Sequence, residues 1–532
     1  MKKFFLVLFF LFLWTAPVFG GYCQNGDKGF KSSAAIGRYL NDLAANSSGF
    51  AVTRVIGTTQ GSPGRPGKKI VALLIGKNAS WSDNRKPTVI ITGSIHGNEW
   101  ATPEVCIGIA EYLLDNKDND SPARDDKGFI INDDAVRELD QARRRSIDNT
   151  SSEPDRIKAA APLQDKSIVP RIVSVRELLQ SIQIIIIPVL NPAGYDYCFL
   201  PEGRASYYGA GWRENRRIHD PLTNRTICYR QDGTAYDTPP ADAEHCFLAD
   251  YDDEGDVEEE SVIVCESRDD TTIHLFHPEL SVASSEMFDA VYRSSDPERV
   301  ICASPRRRVW KTQWAADDET PVKMAVALAD GYLGESQGVD LNRNFQYKWD
   351  LTKDQKHLFI RSRSFGSRIY RGERKISENE TKVMEKLVAK KNVVALIDYH
   401  SGSTQVLYPY AYSTGARVEG TFLGGKSGKS DLEVFRRITK KIASILNRHD
   451  RGDKSIVNFT AAQNYNNTSV ASGVARDCYY RTEKIAAINI EVHDKRYIYG
   501  DEEFRSIVPK ICRTNVPGAV WFLFWAAGLS DR

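Results

Sequence analysis

Four polar side chains that could do chemistry follow apolar stretches of the chain. His96 and Glu99 stand three residues apart, whereas His400 and Glu491 lie far along the sequence. Two imidazoles and one carboxylate are the ligands of one class of catalytic zinc site, in which a fourth position stays open for water. A lone His-x-x-Glu is common by chance, so its meaning depends on the residues that accompany it.

The stretches that precede these residues are short, rich in β-branched residues and almost continuously apolar, which is typical of buried strands. The predicted strands are residues 88–92, 182–190, 393–397 and 485–490. Helical patterns lie between them at residues 103–114, 378–390 and 432–448. Alternating strands and helices predict an α/β domain, in which ligands bind beyond the carboxyl ends of the strands. We therefore expect the two histidines and two glutamates to converge.

The chain resembles zinc metallocarboxypeptidases of the carboxypeptidase A/B family from about residue 30 to its end. His-Gly-Asn-Glu-Trp at 96–100 resembles the family's first zinc motif, and His-Ser at 400–401, followed by Leu-Tyr-Pro-Tyr at 407–410, resembles its second. The resemblance implies that His96, Glu99 and His400 hold one Zn²⁺ per chain. Zinc in such a site acidifies water and polarises a carbonyl.

Three further segments, in the same order as in the family, imply the other roles. Trp-Arg-Glu-Asn-Arg at 212–216 resembles the segment whose first arginine, Arg213, steadies the scissile carbonyl. The segment 338–345 resembles the one that grips the substrate's terminal carboxylate, here through Asn342 and Arg343. Ile-Glu-Val-His-Asp at 490–494 resembles the final strand, whose Glu491 acts as general base and then general acid. The implied activity removes single residues from the C-termini of peptides or proteins.

Two positions depart from the family's pattern. Asn98 stands where the family carries an arginine, which weakens one secondary contact with the substrate carboxylate. Ser469 aligns with a mobile tyrosine of the family, and Tyr465, four residues upstream, is the candidate to replace it. Loss of that tyrosine is expected to weaken substrate binding more than the chemistry.

Arg476 aligns with the residue that selects the substrate's C-terminal side chain. A buried arginine without a partner favours a carboxylate in the pocket, so we expect a preference for C-terminal Asp or Glu. The alternative is that Asp477 or another acid neutralises Arg476 and that the pocket favours a different side chain.

The organisation predicted for the whole chain is a signal peptide, residues 1–20, followed by one large catalytic domain, residues 21–532. Two lysines, a short apolar run and small residues near Gly20 are typical of a cleaved secretory signal. The run is short for a bilayer span of about 20 residues, so we expect no stable membrane insertion. The domain should be α/β, with a mixed, mostly parallel sheet flanked by helices. No inhibitory propeptide is expected.

Two long inserts, at about 115–175 and 218–335, interrupt the family-like pattern. Both flank the predicted active-site loops, so each is either a wall of the entrance or surface decoration.

Export would place the nine cysteines in an oxidising compartment. We expect local bridges among the cysteines at 228, 246, 265 and 302, a bond joining Cys23 to Cys512, and an unpaired Cys106. Sequons whose asparagines are at 46, 78, 149, 224, 379, 458, 466 and 467 fit a secreted glycoprotein.

The formal net charge is +1, from 71 basic and 70 acidic residues, which gives no support to a nucleic-acid partner. We expect a monomer whose partners are peptide or protein C-termini. Two other functions stay open. One is a zinc amidohydrolase of the same fold acting on acyl-amino acids or cell-wall peptides, and the other is an inactive relative that serves as a binding module.

Overall fold

The strands of the protein are built from the β-branched stretches, and eight of them form one sheet. In this computed structural model the described residues are 23, 32–60, 67–148, 172–200, 213–215, 243–250, 261–267, 273–276, 338–349, 351, 369–372, 374–413, 415–424, 428–449, 458–463, 470–494 and 501–531. The described strands are β1 (Ala51–Thr58), β2 (Lys69–Ile75), β3 (Thr88–Thr92), β4 (Gln183–Ile187), β5 (Ala243–Asp250), β6 (Ser261–Ser267), β7 (Ile273–Phe276), β8 (Val393–His400), β9 (Gln405–Leu407), β10 (Thr460–Ala462) and β11 (Ala486–Glu491).

The large sheet has the order β1-β2-β4-β3-β8-β11-β9-β10. Its four central strands, β4, β3, β8 and β11, are mutually parallel. β1 and β2 add an antiparallel pair at one side, while β9 runs antiparallel to β11 and parallel to β10 at the other. The predicted α/β class with a mixed, mostly parallel sheet is confirmed. β5, β6 and β7, within the second insert, form a separate antiparallel sheet.

The described α-helices are α1 (Ser33–Ala45), α2 (Ala101–Asp115), α3 (Asp133–Asp148), α4 (Val175–Ser181), α5 (Pro192–Tyr197), α6 (Asn379–Lys390), α7 (Asp431–His449), α8 (Ala475–Glu483) and α9 (Asp501–Ala527). Several begin at side chains that accept a hydrogen bond from the first turn, such as Ser32 before α1 and Asn191 before α5. In the part of the chain that the structure describes, no helix combines the length and apolar character needed to cross a membrane.

Two apolar layers cover the two faces of the large sheet. One layer joins odd-numbered residues of β3, such as Val89, to α2, α7 and α9. The other joins even-numbered residues, such as Ile90, to α6 and α8. Burial on both faces explains why the central strands are continuously apolar rather than alternating.

Predicted and observed element bounds differ most at two strands. β4 ends at Ile187, where Pro188 follows, rather than at residue 190. β8 continues past residue 397 to His400, so this histidine is part of the strand and not of the loop after it.

A disulfide joins Cys23 to Cys512 in α9, with their Cα atoms 5.8 Å apart, as predicted. Cys106 is free and buried, which also confirms the prediction, and Cys198 and Cys478 are free and buried as well. Cys246 and Cys265 face each other in the register of β5 and β6. Their side chains and the other two cysteines of that cluster lie outside the described residues, as do residues 1–20, Tyr465 and large parts of both inserts.

Candidate active site

The side chains of His96, Glu99 and His400 converge at the carboxyl edge of the sheet. One oxygen of Glu99 lies 2.8 Å from Nδ1 of His96, and the other lies 3.1 Å from Nδ1 of His400. The two Nδ1 atoms are 3.3 Å apart. All three side chains are buried, and one donor atom from each lies within 4.8 Å of the others. The structure thus brings together the three predicted metal ligands.

Local backbone geometry explains how residues four to seven positions beyond β3 reach this point. At Gly93 a Cβ atom would lie 2.8 Å from the carbonyl oxygen of Pro188, so only glycine lets the chain leave the sheet here. The hydroxyl of Thr102 donates to the carbonyl of Glu99 and accepts from the amide of Ser94. This clamp holds the turn that carries both ligands against the start of α2.

Charge at the cluster fits a cation. Burial opposes ionisation of Glu99, but the neighbouring His96 and His400 outweigh it and hold the pKa of this carboxyl below its usual range. Burial also opposes protonation of His400, yet Asp398 and Glu99 raise its pKa well above the ordinary value. Two imidazole nitrogens facing each other beside a carboxylate are the donor set of a catalytic zinc site. The residues present therefore fit a zinc ion.

Each histidine is backed by a second carboxylate. Nε2 of His96 lies 3.2 Å from Asp340, and Nε2 of His400 lies 2.8 Å from Asp398. Such outer carboxylates orient metal-binding imidazoles and fix which ring nitrogen carries the proton. Neither aspartate was assigned a role from the sequence. The only signal was position: Asp340 lies in the segment of Asn342 and Arg343, and Asp398 stands two residues before His400.

Asp340 also links the metal cluster to the predicted cationic residues. It is fully buried, and its carboxylate accepts a 2.9 Å hydrogen bond from Nε of Arg213. Arg343 approaches the same carboxylate at 3.8 Å. Burial raises the pKa of Asp340, but the charges of Arg213, Arg343 and His96 lower it well below its usual value. The carboxylate is therefore charged and holds two guanidinium groups beside the cluster.

Asn342 and Arg343 form a 3₁₀ turn, Leu341–Arg343, that packs against the start of α8. The amide oxygen of Asn342 accepts from the backbone N–H of Ala475 at 3.0 Å, and its nitrogen lies 3.3 Å from Nε2 of His400. Gly473 has φ +67°, and a Cβ there would lie 2.3 Å from the carbonyl oxygen of Arg343. Glycine at this position thus allows the two segments to touch.

Glu491 is the last residue of β11 and lies opposite His400 in the parallel register of β11 and β8. Adjacent strands are about 4.8 Å apart, so the backbone of Glu491 lies beside that of His400. Glu491 is not one of the three residues whose ligand atoms lie within 4.8 Å of one another. Its side chain is 8% exposed, the largest value among the four convergent residues. This position suits a group that exchanges a proton with a substrate.

Arg476 lies in the first turn of α8, buried, and donates to the carbonyl of Gln463 at 2.9 Å. Burial lowers its pKa, while the charges of Asp477, Glu491 and Asp398 raise it. Its Nε is 3.6 Å from Asp477. The other oxygen of Asp477 accepts from the backbone N–H groups of Ala411 and Tyr412, at 2.7 and 3.3 Å. Burial raises the pKa of Asp477 to about 6, against the effect of Arg476.

Comparisons with known proteins place the chain in a family. The sequence model of the zinc carboxypeptidase family matches residues 36–125 and 300–512. The chain belongs to this family, which confirms the resemblance found in the sequence.

Individual relatives are similar to this chain at low identity or over a short stretch. Mast cell carboxypeptidase A of Rattus norvegicus is 33% identical over 78 residues, which are 14% of this chain and only 17% of the relative. The carboxypeptidase A structure from Helicoverpa armigera has a TM-score of 0.50 at 17% identity, over 95% of this chain and 76% of that chain. Bovine thrombin-activatable fibrinolysis inhibitor, in complex with tick carboxypeptidase inhibitor, has a TM-score of 0.47 at 15% identity, over 95% and 98% of the two chains.

Proposed function

We propose that the protein is a zinc-dependent exopeptidase that hydrolyses the C-terminal peptide bond of peptides or proteins. The observation that carries this proposal is the convergence of His96, Glu99 and His400 beside Glu491 at the carboxyl edge of the sheet. Membership of the zinc carboxypeptidase family supports it.

His96, Glu99 and His400 would hold one zinc ion per chain. Such an ion supplies a Lewis acid that polarises a carbonyl and acidifies water. Glu491 accepts the proton of the attacking water and then delivers it to the leaving amine nitrogen, so one carboxylate acts as general base and general acid in turn. Its place opposite His400 keeps it within reach of a substrate at the cluster.

Arg213 would supply a fixed positive charge where the oxyanion develops. Its guanidinium is oriented by the 2.9 Å hydrogen bond from Nε to Asp340, a fully buried carboxylate beside the cluster. Preorganised donors of this kind lower the barrier by about 3 kcal/mol each.

Asn342 and Arg343 would bind the free carboxylate at the end of the substrate. Arginine pairs with a carboxylate through two parallel hydrogen bonds, a geometry that an internal peptide bond does not offer. Asn342 lies 3.3 Å from His400, so a substrate whose end is held by this pair would have its last peptide bond, rather than an internal one, near the proposed zinc site. Tyr465 remains the candidate for a further contact with the substrate.

A preference for C-terminal Asp or Glu follows from Arg476. Its side chain is buried, and its Nε lies 3.6 Å from Asp477, which is longer than a direct hydrogen bond. A substrate carboxylate that came closer would be a stronger partner. Asp477 opposes the preference in part, because one of its oxygens lies 3.6 Å from Arg476.

The setting in which the enzyme acts is proposed to be extracellular or the lumen of the secretory pathway. The Cys23–Cys512 bond supports this, since disulfides persist in oxidising compartments. We propose a glycosylated monomer that leaves the cell through the signal at residues 1–20.

The proposal is tested with a blocked dipeptide that ends in Glu. The purified protein should contain one equivalent of zinc, cleave this substrate, and lose activity on chelation and on the Glu491→Gln substitution. Activity that survives both treatments would overturn the mechanism. Zinc-free, inert protein would instead favour a binding module, and turnover of acyl-amino acids without peptide cleavage would favour an amidohydrolase, to which Asn342 and Arg343 are equally suited.

A further inference from the structure

His400 is in contact with a carboxylate of its own strand. Asp398 and His400 are two residues apart in β8, so their side chains project from the same face of the sheet. Oδ2 of Asp398 lies 2.8 Å from Nε2 of His400, and the relative exposure of these residues is 1% and 2%. The ring nitrogen that faces Asp398 is not the one that faces Glu99, since Glu99 approaches Nδ1 at 3.1 Å.

Asp398 is itself held from the neighbouring strand. Thr92, the last residue of β3, lies opposite Asp398 in the parallel register and donates its hydroxyl to Oδ1 of Asp398 at 2.7 Å. One carboxylate oxygen is thus occupied by Thr92 and the other by His400. The rotation of the carboxylate is fixed by two strands that are hydrogen-bonded to each other, and not by a loop.

We propose that Asp398, anchored by Thr92, is a positioning residue that orients His400 for metal binding. A neutral imidazole carries one N–H, and a carboxylate at Nε2 keeps the proton there, so the lone pair of Nδ1 points to the other ligands. This inference rests on the zinc site of the proposed function.

A proton on Nε2 of His400 also determines what the second polar neighbour of this ring, the amide of Asn342, can do. Once Nε2 carries the proton, the amide nitrogen of Asn342, 3.3 Å away, is not a hydrogen-bond donor to it. The N–H of Asn342 is then left for the substrate carboxylate. A competing role for Asp398 is that of a counter-ion to Arg476, whose pKa is lowered by burial and raised in part by the charge of Asp398. That role would affect the choice of substrate but not the binding of metal.

The experiment measures zinc affinity by competition with a chromophoric chelator, together with the visible spectrum of the cobalt-substituted protein. Asp398→Ala and Asp398→Asn remove the negative charge, and Thr92→Val removes the anchor. Asp431→Asn is the matched control, because Asp431 is an equally buried aspartate bonded to Tyr480 and Leu423 away from the cluster. Unfolding temperatures are recorded with and without metal.

Zinc affinity is expected to fall by roughly 10- to 100-fold in Asp398→Ala, with a change in the cobalt bands, and by a smaller factor in Thr92→Val. Asp431→Asn should keep the wild-type affinity even if it is less stable. Unchanged zinc affinity and an unchanged cobalt spectrum in Asp398→Ala would overturn this inference but not the proposed metal site. That conclusion would hold even if the variant were less stable or had a different substrate preference. Wild-type protein without tightly bound zinc would overturn the proposed metal site, and this inference with it.

Discussion

Glu491 lies opposite His400 in the register of β11 and β8, so the proposed general base and a proposed metal ligand are neighbours at one edge of the sheet. The backbone of both residues belongs to strands buried on both faces. Their separation is therefore set by strand spacing, which side-chain changes in the surrounding loops do not alter.

The first prediction concerns Glu491. Glu491→Gln keeps the size of the side chain but removes the basic oxygen, so kcat should fall by roughly 10²- to 10⁴-fold while KM changes little. Steady-state kinetics on a peptide ending in Glu measure both constants. Metal analysis is the control, since the variant should retain its zinc; a kcat within a factor of three of wild type would refute the role.

The second prediction concerns Arg343. Arg343→Lys preserves the charge but not the paired hydrogen bonds, so kcat/KM for a free C-terminal carboxylate should fall by roughly 10- to 100-fold. The same peptide with an amidated C-terminus is the comparison, and its slow cleavage should not change. Equal losses on both substrates would mean that Arg343 supports the fold rather than the carboxylate.

The third prediction concerns the specificity pocket. Arg476→Met removes the buried charge but keeps much of its volume, and should lower kcat/KM for peptides ending in Glu by roughly 30-fold or more, about 2 kcal/mol. Turnover of peptides ending in Phe should stay constant or rise. If Phe and Glu substrates lose activity in parallel, Arg476 does not select the side chain.

The fourth prediction is a pH dependence of selectivity. Burial raises the pKa of Asp477 to about 6, so the carboxyl is charged above that pH and neutral below it. When it is neutral, Arg476 loses its nearest compensating charge, while a substrate glutamate, with a pKa near 4.3, is still mostly ionised at pH 5. The ratio of kcat/KM for Glu over Phe substrates should therefore rise as the pH falls from 7.5 to 5.

This ratio cancels titrations that affect both substrates equally, including those of the metal cluster. Asp477→Asn is the control, and its ratio should stay near the low-pH value throughout. Burial, and to a smaller extent the charge of Asp477, raises the pKa values of Tyr347 and Tyr410, so both tyrosines stay neutral over this range. A ratio in the wild type that is flat with pH would contradict the assignment.

The fifth prediction concerns stability. A Cβ at Gly108 in α2 would lie 2.3 Å from the sulfur of Cys512 and 2.7 Å from that of Cys23. Gly108→Ala should thus lower the free energy of unfolding by about 1–3 kcal/mol through overpacking. Gly528→Ala is the control, because no atom lies within 4 Å of its added Cβ. Chemical denaturation measures the free energy of unfolding of both variants. Equal values would show that the disulfide moves to make room for the added methyl group without a cost in stability.

Much of the fold followed from the sequence because the central strands are buried on both faces and therefore read as apolar runs. Motif order placed His96, Glu99, His400 and Glu491, and the structure brings them together. Asp398 was missed because the predicted strand stopped at residue 397. Only a strand that continues to His400 puts the two side chains on one face.

Asp340 was missed for a different reason. In its motif, only Asn342 and Arg343 were assigned a role from the sequence. Nothing in the sequence shows that the side chain of Asp340 contacts His96 and Arg213. Such contacts cross more than a hundred residues of chain and exist only after the fold has formed. The roles assigned to all of the site residues stay predictions, including those of Arg476 and Tyr465.

The Cys23–Cys512 bond has a consequence for biosynthesis. Its two cysteines are 489 residues apart, so Cys23 cannot form its native bond until nearly the whole chain has been synthesised. During that time it can pair wrongly with Cys106, Cys198 or Cys478. These three become inaccessible once they are packed in the finished core. Correct oxidation therefore requires that folding come first, and recombinant yield should improve in hosts with a disulfide isomerase.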